Sequence, residues 1–147
     1  MKYGSKEFCQ YLYALADKIG VSHELVMKYS GLADSANKEF FVVVKDDGAC
    51  EWYYSERGSD NLLATAKSVE DLLYEIFQSI TSTVSFAYEA KNRIENQDSR
   101  LIAFNHQLSL MKKLNESWYN RLNSRLKGLI HAIERQDARR RERSGNR

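Results

Sequence analysis

The chain has 147 residues, 43% hydrophobic and 29% charged, with a formal net charge of +2. That size allows one domain with a hydrophobic core of its own, and the composition excludes a disordered chain. Apolar runs such as Phe40 to Val44 are far too short to span a bilayer, and the start, Met1-Lys2-Tyr3-Gly4-Ser5, leads into a charged helical pattern and not a signal-peptide core, so the expected location is cytoplasmic.

The small net charge hides an uneven distribution. Residues 1–33 carry +1, residues 34–98 carry −7 and residues 99–147 carry +8. Such polarity bears on partners more than on the fold. The two cysteines, Cys9 and Cys50, lie in unlike contexts and read as packing residues.

Phe8, Leu12, Leu15, Ala16 and Ile19 recur at helical spacing from Ser5 to Ile19, and Gly20 is a stop signal. Ser22 caps a shorter helix bearing Leu25, Val26 and Tyr29, ended by Gly31, and Leu32 to Lys38 reads as a loop. The β-branched and aromatic run Phe40 to Val44, the turn Asp46-Asp47-Gly48 and the alternation of Cys50, Trp52 and Tyr54 with Glu51, Tyr53 and Ser55 predict a β-hairpin closed by Gly58. Leu62 to Ala66 suits a third short strand.

Ser68, with Asp71 three positions on, opens a long helix that runs to Asn92 or Arg93. Val69, Leu72, Leu73, Ile76, Phe77, Ile80, Val84, Ala87 and Tyr88 form its expected buried stripe. Hydroxyls at Ser79, Thr81, Ser82, Thr83 and Ser85 are expected on its exposed face or at a close helix crossing. A second helix starts near Asp98 with Leu101, Phe104, Leu108 and Met111 in step. Asn115 caps a third, which buries Trp118, Leu122, Leu126, Leu129, Ile130 and Ile133. Short links favour antiparallel neighbours. The predicted class is α+β and mostly helical: N-terminal helices, a β-hairpin with room for a third strand, then three antiparallel C-terminal helices. Residues 1–138 form one domain in this reading, and residues 139–147 a basic tail that frays.

The sequence holds no Gly-rich phosphate loop and no nucleophile elbow. His23, His106 and His131 fall on three helices, none with a histidine partner at ligand spacing. Glu70, Asp71 and Glu75 suit the start of a helix, and Asp46-Asp47 suits a turn. Nothing here calls for a cofactor, a metal, a small-molecule substrate or catalysis. The stretch Tyr88 to Arg100 is dense in hydrogen-bonding groups: Glu89 and Arg93 share a helix face, and Asp98 can cap the next helix with Arg100 or Arg93 in reach. It reads as a polar clasp between two helices, or as a charged rim offered to a partner. The basic run Arg139-Arg140-Arg141-Glu142-Arg143 can neutralise phosphates, but it lacks interleaved aromatics and any reading motif, which argues against nucleic acid as the partner.

Together, Ser55-Glu56-Arg57-Gly58, Asp71-Leu72-Leu73-Tyr74-Glu75-Ile76-Phe77, Tyr88-Glu89-Ala90-Lys91-Asn92-Arg93-Ile94, Gln97-Asp98-Ser99-Arg100 and the run from Gln107 to Trp118 resemble the immunity protein 63 family of bacterial polymorphic toxin systems, over about residues 40 to 126. The resemblance implies a small cytoplasmic protein that binds and neutralises a toxin domain. It makes Glu56, Arg57, Glu89, Asn92, Arg93, Gln97, Asp98 and Arg100 family-signature positions, which suit a structural role. The acidic middle of the chain suits a basic toxin such as a nuclease, with Glu39, Asp46, Asp47, Glu51, Glu56, Asp60, Glu70, Asp71 and Glu75 as candidate contacts. The alternative is a nucleic-acid-associated adaptor or regulator using the basic C-terminal helix and tail.

Overall fold

Ser5 accepts a hydrogen bond from the Phe8 amide at 3.2 Å and so opens helix α1, Lys6–Ile19, in a computed structural model that describes residues 2–34 and 38–145. Residues 35–37 of the expected loop, and 146–147 of the tail, lie outside the described residues. Gly20, at φ 68°, ends α1 in the left-handed conformation that its missing Cβ permits. Ser22 caps α2, His23–Tyr29, through the Leu25 amide. Three strands follow, β1 (Phe40–Val44), β2 (Cys50–Glu56) and β3 (Ser59–Ala66), and then α3 (Val69–Lys91), α4 (Ser99–Leu114) and α5 (Glu116–Gly145). The α+β, mostly helical class is as the sequence predicts, and the third strand is present and longer than Leu62 to Ala66.

The chain divides into two units, residues 1–80 and 81–147, with the boundary inside α3. The first unit holds an antiparallel sheet of order β1-β2-β3. Its first turn is shaped by Gly48 at φ 88°, with the Asp47 carboxylate accepting from the Ala49 amide at 3.0 Å. Its second is a two-residue turn at Arg57 (φ 51°) and Gly58 (φ 79°) between the paired Glu56 and Ser59. Two successive positive φ values define the I′ geometry, which matches the right-handed twist of the strands. Ser55 to Gly58 therefore joins β2 to β3 and does not close the first hairpin.

Direct pairing assigns the sheet faces. Val42, Trp52 and Ala64 lie opposite one another, as do Val44, Cys50 and Ala66, so these share one face. On that face Cys50 and Trp52 are buried, and Trp52 Nε1 donates to the Tyr29 carbonyl at 2.8 Å. The Phe40 ring stacks on Tyr29 at 4.6 Å and on Trp52 at 5.6 Å. Phe8, Leu12, Leu15 and Ala16 of α1, Val26 and Met27 of α2, and Leu72, Leu73, Tyr74, Ile76, Phe77 and Ile80 of α3 are also buried in this unit. Tyr3 packs on Phe8 and donates its hydroxyl to the Ser30 carbonyl, and burial pushes its phenol well above the usual range.

In the second unit the expected α3 stripe is corrected. Val84 is half-buried and Ala87 and Tyr88 are exposed, whereas Thr81, Ser85 and Glu89 are buried. These three sit at i, i+4 and i+8, one face of the helix, and Gln107 of α4 donates to Thr81 Oγ1 at 3.3 Å. The hydroxyls at 81 and 85 thus occupy a helix–helix contact and not the exposed face. Thr81 meets Gln107 while Phe86 meets Phe104, so this part of α3 runs antiparallel to α4. Helix α4 buries a second row, Ala103, Gln107, Leu110 and Leu114, beside Leu101, Leu108 and Met111, while Phe104 is only half-buried.

Asn115 caps α5 through the Trp118 amide. The α5 stripe is buried as expected at Trp118, Leu122, Leu126, Ile130 and Ile133, but Leu129 is 43% exposed. The buried line follows the row 118, 122, 126, 130 and steps onto 133 and 137 only beyond Leu129. Residues 139–145 continue α5 as helix. No helix among the described residues is long and apolar enough to cross a membrane.

Gly31 is where the chain leaves α2 for the sheet. It sits at φ +75°, and a Cβ there would lie 2.8 Å from both the Phe40 carbonyl oxygen and the Phe41 Cα. Gly31→Ala is expected to destabilise the fold by about 1–3 kcal/mol, combining left-handed strain with a backbone clash, as read from a lowered urea midpoint.

Candidate functional site

The face of the sheet opposite Trp52 carries Phe41, Val43, Glu51, Tyr53, Ser55, Asp60, Leu62 and Thr65 by direct register. A bulge between Trp52 and Tyr53 leaves Leu63 as an extra residue in β3. Phe41 and Tyr53 stack at 4.9 Å with planes 9° apart. Val43 is 41% exposed, Leu62 52% and Leu63 45%, an accumulation of large apolar groups in contact with solvent. Desolvation pushes the Tyr53 phenol above its ordinary pKa, assisted by the neighbouring Glu51 and Asp60 carboxylates. An aromatic and aliphatic centre with carboxylates at its margin has the make-up of a protein-binding surface.

The nine candidate acidic residues all fall within the first unit, but they do not make one patch. Glu51 and Asp60 share the outer sheet face, the former half-buried and 3.6 Å from Lys45. Asp46 and Asp47 lie exposed in the first turn and Glu56 at the second, separated by the length of β2, about 20 Å. Glu39 precedes β1 and pairs with Lys28 at 3.4 Å. Glu70 and Asp71 are exposed in the first turn of α3, where Glu70 faces Tyr11 and raises its pKa after burial has done so, and Glu75 is half-buried one turn on. The structure brings Glu51 and Asp60 together with Tyr53 and leaves the other seven at four separate places.

Six of the eight signature positions gather at the corner between α3 and α4. Glu89, nearly fully buried, accepts from Arg93 Nε at 2.7 Å, and the Asn92 side chain donates to the Tyr88 carbonyl at 2.8 Å. The Tyr88 ring lies 3.9 Å from the His106 ring and parallel to it. The chain then turns through Asn96 at φ 64°, and the Gln97 amide donates to the Ile94 carbonyl. Asp98 caps α4 at the Arg100 amide and binds the Arg100 guanidinium at 3.0 and 2.8 Å. This holds the Asp98 carboxyl down to about 2, mainly through the hydrogen bonds from Arg100. The other two signature residues, Glu56 and Arg57, are exposed at the I′ turn.

Asp137 of α5 was not singled out by the sequence. It is fully buried, accepts from the Asp98 amide at 2.8 Å and lies 3.8 Å from Arg140 Nη1. An acid inside an apolar i, i+4 row was the one signal that marked it. Beyond it, Arg140, Arg141 and Arg143 join Asn96 and Gln97 around an open cleft of about 620 Å³. His23 pairs with Asp17 at 2.7 Å and stacks on Tyr13. Among the described residues no three His, Cys, Asp or Glu side chains are placed to hold a metal.

The geometry defines a small, mostly helical α+β protein with an open aromatic sheet face and a polar corner. The chain belongs to the immunity protein 63 family, which matches residues 46–128, from the first sheet turn to the middle of α5. The match takes in the Arg57-Gly58 turn and the whole α3–α4 corner; α1, α2, β1 and the basic end of α5 lie outside it. No curated protein and no solved structure matches the chain.

The Asp98 cap gives a pH signature. Its folded pKa lies below the unfolded carboxyl value of about 3.9, so its stabilisation is complete above that value and is lost as pH falls toward 2. Asp98→Ala is expected to cost about 1 kcal/mol at pH 7 and to converge on the wild type near pH 2, by urea unfolding at a series of pH values.

Proposed function

We propose that the protein is a non-catalytic immunity protein that acts in the cytoplasm, binds a cognate toxin domain directly, and covers its active site or holds its catalytic segments apart. The observation that carries this reading is membership of the immunity protein 63 family across more than half of the chain. The make-up of the first unit supports it, with eight Lys and Arg against thirteen Asp and Glu, and with Glu51 and Asp60 beside the open aromatic face. Such a field favours fast association with a basic partner, and a nuclease domain is one of that kind.

Co-expression with the polypeptide encoded by the neighbouring gene tests the reading through cell survival and a salt-resistant complex. Joint reversal, Glu51→Lys with Asp60→Lys, is expected to slow association by at least about tenfold at low salt with an unchanged circular dichroism spectrum. Full-rate association by that variant would remove the outer sheet face from the interface.

The cleft at Arg140, Arg141 and Arg143 favours a second reading, a nucleic-acid-associated adaptor using the end of α5. Under the immunity reading, deleting residues 138–147 leaves cell protection unchanged. Under the adaptor reading it abolishes a salt-sensitive retention of nucleic acid, measured by absorbance ratio and filter binding across a salt series.

A further inference from the structure

We propose that β3 is the docking edge of this protein, and that an extended, basic segment of the toxin adds to the sheet as a fourth strand alongside Ser59–Leu62. The inference rests on the immunity reading above and assigns it a binding mode.

The two edges of the sheet differ in access. Along β1, the turn after α2 lies against the strand, with Gly31 directly on the backbone of Phe40 and Phe41. Among the described residues of the first unit, β3 pairs with β2 alone, so its other side carries no strand. In a two-residue hairpin the closing pair, here Glu56 and Ser59, exchanges hydrogen bonds, and so does the second pair after it, Tyr54 and Asn61. The residues between and beyond, Asp60 and Leu62, therefore turn both N–H and C=O away from β2. Those are the groups an added strand needs.

This edge lacks the usual protection. Ser59 to Ala66 contains no lysine, arginine or proline, and Ser59 to Leu63 are five consecutive exposed residues. The bulge at Leu63 is the one blunting device, and it sets the far end of the usable edge at Leu62. Alternate side chains of the incoming strand would extend the outer face past Leu62, continuing the row that runs from Phe41 through Tyr53.

Charge selects the occupant. Asp60 lies on the edge itself, Glu56 at its start and Glu51 one strand in, within a unit whose net charge is −5. Pairing of β3 with β3 of a second copy would bring two such units together, whereas a strand bearing lysine or arginine opposite Asp60 meets a complementary field.

The test uses the full chain and the polypeptide of the neighbouring gene. Hydrogen exchange at Asp60 and Leu62 is expected to slow at least about tenfold in the complex. Leu62→Pro removes one outward N–H without touching the β2 ladder and is expected to lose at least about tenfold in affinity, while Leu62→Thr, which keeps the N–H, loses less. Should Leu62→Pro not fold, the exchange data on the wild type decide alone. A complex that protects cells with unchanged exchange in β3 overturns the docking edge and leaves the immunity reading standing. Concentration-dependent protection of β3 in the isolated protein reassigns the edge to self-pairing and also overturns it. Absence of both binding and cell protection in the wild type removes the immunity reading and this inference together.

Discussion

The indole of Trp52 decides which way the sheet faces. Buried to 3% exposure in the middle of the central strand, it can be accommodated only if its N–H finds an acceptor, and the Tyr29 carbonyl at the end of α2 supplies one. The Phe40 ring, in contact with both Tyr29 and Trp52, ties β1 to the same point. With Trp52 turned inward, strand alternation leaves Tyr53 and Glu51 no choice but the outer face, and pairing brings Phe41, Val43 and Leu62 with them. The solvent-facing apolar surface is therefore a by-product of where the core tryptophan is anchored.

Much of this arrangement was legible in the residues because local signals agreed with one another. Ser22, Ser68, Asp98 and Asn115 are readable as caps, and each accepts the backbone hydrogen bond expected of it. The alternation in β2 correctly separated Cys50 and Trp52 from Glu51 and Tyr53. The unbroken apolar run of β1 was itself a sign that both faces of the sheet carry apolar groups, since a strand solvated on one face would alternate. What escaped was set by partners distant in sequence. The apolar stripe of the first half of α3 does not continue into its second half, whose buried face is Thr81, Ser85 and Glu89, because there the neighbour is α4 with Gln107 in reach. Among the described residues the Ser85 hydroxyl has no hydrogen-bond partner, so this contact is polar and incompletely satisfied. No periodicity rule would place such groups inside. For the candidate site, charge and composition pointed to the first unit, whereas the sheet register was needed to show that Glu51 and Asp60 share the outer sheet face with Tyr53.

The division of charge now coincides with a division of structure. The unit of residues 1–80 is acidic, and that of residues 81–147 carries fourteen Lys and Arg against seven Asp and Glu. Like charges within one unit repel, and each unit's core offsets that repulsion internally. The total of +2 says little about how either surface meets a partner. The family match, which takes in most of the sheet and the α3–α4 corner, spans parts of both units.

The hydrogen bond from the Asp98 amide to Asp137 bears on the order in which the second unit folds. Most contacts of α4 with α5 close over the single linking residue Asn115 and cost little loop entropy, so that hairpin of helices can form early. The corner at Asp98, by contrast, needs a carboxylate from 39 positions further along the chain, presented by a helix turn that must already be in register. The start of α4 thus has one bond that can close only after its far end has met α5. During synthesis from the N-terminus this bond waits until residue 137 has emerged, so the corner holds only its local hydrogen bonds until α5 has grown to Asp137.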